Sequence, residues 1–130
     1  MTEERRHFSS GSPFEPRIGF ARAVRVGERI CVSGTGPIWD DGSFDGDVAA
    51  QARRCLEIIV EALEELGASA DEVVRTRIYL TDAGDIDAVG QIHAEFFGSA
   101  RPAATAVVVV GFLDPRWKVE IEAEAILAHD

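Results

Sequence analysis

The sequence predicts an α+β fold: a single six-stranded β-sheet with two α-helices packed on one face. Three observations predict it. Six short runs carry strand patterning, and two longer stretches carry helical periodicity. Their order is three strands, a helix, a strand, a helix and two strands. Two helices cannot cover both faces of so wide a sheet, so both belong to one face.

Residues 5–8 form a candidate edge strand, and residues 9–16 a loop rich in Ser, Gly and Pro. Residues 20–26 and 30–33 are extended runs around Gly27-Glu28, a hairpin signal. Asp40-Asp41-Gly42 marks a further turn. Asp47 is placed to cap a helix that runs to Gly67. Val48, Ala52, Cys55, Leu56, Ile59, Leu63 and Leu66 form its apolar stripe. Ser69 to Glu72 reads as a capping box. Val74, Thr76, Ile78 and Leu80 then alternate with Arg75, Arg77 and Tyr79, as in a strand. Asp85 opens the second helix, with Ile86, Val89, His93, Phe96 and Phe97 inward, and Gly98 ends it. Residues 107–110 are a run of valines, and residues 119–127 form the last strand. The valine run is apolar toward both faces, as in a strand buried twice. A neighbouring subunit is the simplest cover for the second face, so an oligomer is expected.

A length of 130 residues suits one domain spanning the chain, 1–130. With 46% hydrophobic residues, a core needs neither disulfides nor metals. The formal charge is −10, which repels phosphate backbones and anionic lipid. Arg5-Arg6 and Arg53-Arg54 are too short to offset it and read as solvated surface. Nucleic acid and membrane are therefore not expected partners. Cys31 and Cys55 lack ligand spacing and read as small buried fillers. His7, His93 and His129 are scattered, and no group has zinc spacing. His93 lies on the apolar side of its helix, where a packed, hydrogen-bonded role is expected. The first ten residues lack an apolar core like that of a secretory signal, and no apolar run reaches 18 residues. The cytoplasm is the expected location.

Four segments stand in a telling order. They are residues 23–27 with Val32-Ser33-Gly34-Thr35-Gly36-Pro37; Gln51 at the start of the long helix; residues 85–97 with a terminal Phe-Phe; and Arg101-Pro102-Ala103-Ala104-Thr105 with Val119-Glu120-Ile121-Glu122-Ala123. From about Ile18 onward the chain resembles the YjgF/Rid family, also called L-PSP endoribonucleases or translation inhibitors. The resemblance implies a chorismate-mutase-like fold and a homotrimer with small-molecule clefts between subunits. It also implies hydrolysis of reactive enamines and imines without a metal or organic cofactor. It points to Glu120 as the catalytic residue, positioning water. Phe20, Ser33, Gly34, Thr105 and Ala106 become the substrate-binding positions. The family's carboxylate-gripping Arg is matched by Ala104, its helix Asn by Gly90, its Tyr by Phe20 and a Cys by Ala106. Losing that Arg removes a bidentate, charge-assisted grip, so an altered substrate is expected.

Glu120, Glu122 and Glu124 alternate on the last strand, which alone reads as a polar face turned to water. The resemblance singles out Glu120 as acid or base and leaves Glu122 and Glu124 to structure or solubility. Arg22 and Arg101 are candidates to replace the missing guanidinium, against a reading as solvated surface. Trp117 reads as a half-buried loop anchor or the roof of a cleft. Three functions remain: a hydrolase of a small imine, enamine or carbamoyl-like compound, a non-catalytic metabolite-binding protein, and a ribonuclease. The acidic balance argues against the last.

Overall fold

The computed structural model describes residues 4–128. Six strands form one mixed sheet: β1 (Arg5–Phe8), β2 (Ala23–Val26), β3 (Arg29–Thr35), β4 (Val73–Leu80), β5 (Ala103–Val108) and β6 (Val119–Ile126). Their spatial order is β1-β2-β3-β6-β4-β5. Neighbours run antiparallel except β4 and β5, which are parallel and joined through a helix. That crossover is the connection a parallel pair requires.

Among the described residues there are three α-helices: α1 (Phe14–Ile18), α2 (Val48–Glu65) and α3 (Ile86–Phe97). The Asp47 side chain accepts a hydrogen bond from the Ala50 amide, which caps α2. The stripe Ala52, Cys55, Leu56, Ile59 and Leu63 is fully buried against the sheet. From α3, Val89, Ile92 and Phe97 join the same core. The sheet meets them with Ile30, Val32, Ile78, Leu80, Val119 and Ile121. At about 25 cal/mol per Å² of apolar burial, this one-sided core is the main source of stability. His93 shares a 2.8 Å hydrogen bond with Thr76 and meets the Phe97 ring edge-on, tying α3 to β4. Burial holds the His93 imidazole below its ordinary pKa. His129 lies outside the described residues.

Several expectations need correction. The segment read as a loop over 9–16 contains the start of α1, which ends on Gly19 in the left-handed region. In β4 the register against β6 shifts between Val73 and Arg75. That irregularity turns Val73 inward and leaves Val74 42% exposed. Ile86 is 38% exposed, because the turn Ala83–Asp85, closed by the Asp82 side chain, precedes α3 and carries its first residue outward. Cys31 is exposed, since Ile30 and Val32 take the inward places on β3; Cys55 is buried as expected. Arg54 is not solvated: its side chain is 16% exposed and its Nε donates to the Ile38 carbonyl at 2.6 Å. The valine strand spans Ala103–Val108, ends before Val109, and is exposed along its whole length in the single chain.

Candidate active site

Glu120 sits in the middle of the sheet, on β6 between β3 and β4, opposite Tyr79. Val119 and Ile121 beside it are fully buried on the helix side. Alternation therefore fixes Glu120 on the opposite, helix-free face. Its carboxylate lies over the Gly34 backbone: a Cβ placed on Gly34 would stand 2.8 Å from Glu120 Oε1. Burial raises the Glu120 carboxyl above its usual range, the Arg22 charge opposes this, and Glu122 adds to the rise.

Arg22 supplies the other side of Gly34. It is 5% exposed, so neither solvated surface nor an outward substrate grip describes it. Its Nη1 donates to the Gly34 carbonyl at 2.6 Å and to Thr35 Oγ1 at 3.2 Å. Its Nε donates to Ser10 Oγ at 3.3 Å and pairs with Glu15 at 3.6 Å. The Phe20 ring lies beneath, 5.4 Å from the guanidinium carbon. Ser33 is tied back by its hydroxyl, which donates to the Ala21 carbonyl at 2.7 Å. Phe20, Ser33, Gly34 and Glu120 are thus joined through Arg22 into one local cluster.

Thr105 and Ala106 are elsewhere. They pair with Arg77 and Ile78 on β4, and β4 lies between β5 and β6. Two strand spacings of about 4.8 Å separate them from the Glu120 strand. Thr105 shares the helix-free face with Arg77, whereas Ala104 and Ala106 pair with inward-facing Thr76 and Ile78. All three are exposed on the sheet edge. Arg101 is exposed too, with a left-handed φ of 49° where the chain leaves α3. One chain therefore carries two separate halves of the expected site.

The family model for endoribonuclease L-PSP matches residues 11–127. The chain belongs to this family. An uncharacterised protein of Streptomyces coelicolor is 44% identical over 96% of this chain and 95% of its own length. The 3-aminoacrylate deaminase RutC of Acinetobacter baylyi is 34% identical over 88% of this chain and 91% of its own. A YjgF/YER057c/UK114 family member from Mycobacterium tuberculosis superposes with a TM-score of 0.87 at 44% identity, covering 95% of this chain and all of the other.

Within this family fold, residues that the sequence marked without giving their partners form the frame of the site. Gln51 is fully buried. Its Oε1 accepts from the Lys118 amide at 2.7 Å, and its Nε2 donates to the carbonyls of Asp45 at 2.9 Å and Arg116 at 3.2 Å. It fixes the turn that feeds β6, two residues before Glu120. Trp117 is 8% exposed and its ring covers Gly36, where a Cβ would stand 2.5 Å from it. It is a buried anchor for both loops. Glu122 accepts from the Tyr79 hydroxyl and from Arg77 Nη1 at 3.2 Å, and Arg77 also pairs with Glu124 at 3.7 Å. Those two carboxylates are engaged with side chains of β4. Among the described residues no cluster of His, Cys, Asp or Glu could hold a metal ion, and no helix is long and apolar enough to cross a membrane.

Proposed function

We propose that the chain is a homotrimeric, cofactor-free hydrolase of a small imine or enamine, working in clefts between its subunits. The observation that carries this reading is Glu120: a half-buried carboxylate in mid-sheet that accepts no hydrogen bond among the described residues and lies beside Gly34. Such a group can take a proton from water as the water adds to a C=N carbon. Returned to nitrogen, that proton completes a carbinolamine; the same group can then carry the hydroxyl proton to nitrogen, so that the C–N bond breaks, ammonia leaves and the carbonyl forms. The 34% identity to a 3-aminoacrylate deaminase supports this chemistry. The exposed edge strand β5, with Val107 43% and Val108 57% exposed, supports assembly. A second subunit would bring its Thr105 and Ala106 to the Glu120 half of the site. Light scattering should report three chain masses; a stable monomer at micromolar concentration would overturn the assembly.

Ala104 leaves no guanidinium on β5 for a carboxylate. Arg22 does not substitute for it, being engaged with Gly34, Thr35 and Glu15. A substrate without a carboxylate, or a bulkier one, should therefore suit the site. Imines generated in situ from several amino acids test this. Ala104→Arg should raise hydrolysis of small imino acids by roughly one to two powers of ten, the worth of a charged hydrogen bond. No hydrolysis by either protein would favour a non-catalytic metabolite-binding role, a reading that the Ala at 104 supports. Salt-sensitive RNA cleavage that disappears in Glu120→Gln would favour the ribonuclease reading, against which the charge of −10 stands.

A further inference from the structure

The segment just before β2 carries Arg22 into the interior, beneath the Gly34 peptide. Glu15, 3% exposed, meets it there. Glu15 Oε2 accepts from Ser10 Oγ at 2.6 Å and faces Arg22 Nε at 3.6 Å. Its other oxygen, Oε1, is buried with no hydrogen-bond partner among the described residues. Two buried charges are thus committed to one another and to the loop of residues 10–15. Arg22 Nη1 holds the Gly34 carbonyl at 2.6 Å, and the Glu120 carboxylate lies beside the same residue. The register of β3 against β6 is irregular between Val32 and Thr35. The ladder therefore does not by itself fix the Gly34–Thr35 peptide.

We infer that Arg22, anchored by Glu15, is a positioning residue of the Glu120 site: it fixes the peptide on which the Glu120 carboxylate rests and supplies the positive charge that faces it. This deepens the reading of Glu120 as the reacting group and rests on it. A buried ion pair adds little net stability compared with apolar packing, so a positional role accounts for retaining one here. The groups facing Glu120 are few. Arg22 comes from the segment before β2, Glu122 from its own strand and Tyr79 from β4, while the Cys55 thiol of α2 lies across the sheet in the core. β3 contributes Ser33 and Gly34, which carry no charge. Arg22 is therefore the one cation among these groups.

The signs separate this role from a merely structural one. Arg22→Gln removes the facing cation, so Glu120 should ionise at higher pH, by on the order of one unit. Glu15→Gln leaves the Arg22 charge unshared, so Glu120 should ionise at lower pH. Arg22→Lys keeps the charge and should restore the wild-type titration. Structural loosening would instead move Arg22→Gln and Glu15→Gln the same way. The measurement is a ¹³C NMR titration of the glutamate carboxyls of the full chain, with the Glu120 signal identified by its absence in Glu120→Gln. Opposite shifts support the inference; identical Glu120 titrations in wild type and Glu15→Gln, or shifts of one sign, overturn it. If Arg22→Gln does not fold, Glu15→Gln and Arg22→Lys decide by the same signs. Absence of imine hydrolysis in wild type would sink the catalytic reading while leaving this titration readable.

Discussion

Glu120→Gln is expected to remove the proposed imine hydrolysis, lowering kcat by about two to four powers of ten, with fold and molar mass unchanged. The amide keeps the size of the carboxyl but cannot take a proton from water. The backbone pairing of Glu120 with Tyr79 does not depend on the side chain. The pH profile of the wild type should carry the same signature. Burial raises the Glu120 carboxyl above its ordinary value of 4.5, with Arg22 opposing and Glu122 adding to the rise. A base must be ionised, so the acidic limb of kcat should lie at higher pH than an ordinary carboxylate would give, with activity lost as pH falls through it. Stability runs the other way. A carboxyl that binds its proton more tightly in the folded state opposes folding once it is ionised, above the unfolded value. The Gln variant should thus be no less stable than wild type near neutral pH. Ammonia release and thermal melts of the two proteins check both statements, and a Gln variant with the wild-type rate would remove Glu120 from the chemistry.

Gln51→Met should be the most damaging single change in the frame of the site. The side chain keeps its length and apolar stem but loses one acceptor and both donors. The Lys118 amide and the carbonyls of Asp45 and Arg116 then lose their buried partner. An unsatisfied buried group costs about 1–3 kcal/mol, so a loss of about 3 kcal/mol is expected. For a domain of this size that is a fall in Tm of roughly 10 °C. Trp117, next to Lys118 and stacked on Gly36, should report the loosened turn by a red-shifted fluorescence. Because β6 starts at Val119, the Glu120 reaction should weaken more than the melt alone implies. A variant with wild-type Tm and wild-type emission would show that Gln51 does not hold this turn.

The local elements follow from neighbouring residues. The 3.6-residue stripe of α2 and its Asp47 cap, the Ser69–Glu72 box and the alternation of β6 are all settled by side chains a few positions apart. The family was equally legible, because segments such as Val32 to Pro37 and Val119 to Ala123 keep their order. Alternation placed Glu120, Glu122 and Glu124 on one face but could not separate them. Tertiary pairing did: Glu122 and Glu124 form ion pairs with Arg77 of β4, while Glu120 forms none among the described residues and lies beside Gly34. The bulge that exposes Val74 depends on the register of a strand some fifty residues on, which no local pattern encodes. Arg22 is the sharpest case. By sequence it is one charged residue within an extended run, and charged residues belong in water. Its burial requires Glu15 of α1 and Gly34 and Thr35 of β3 to converge on it from two separate segments. The sequence alone determined the elements, the family and the candidate carboxylate. The tertiary structure alone decided which charges are buried together, because the cost of burying a charge is offset only by partners that folding brings from elsewhere in the chain.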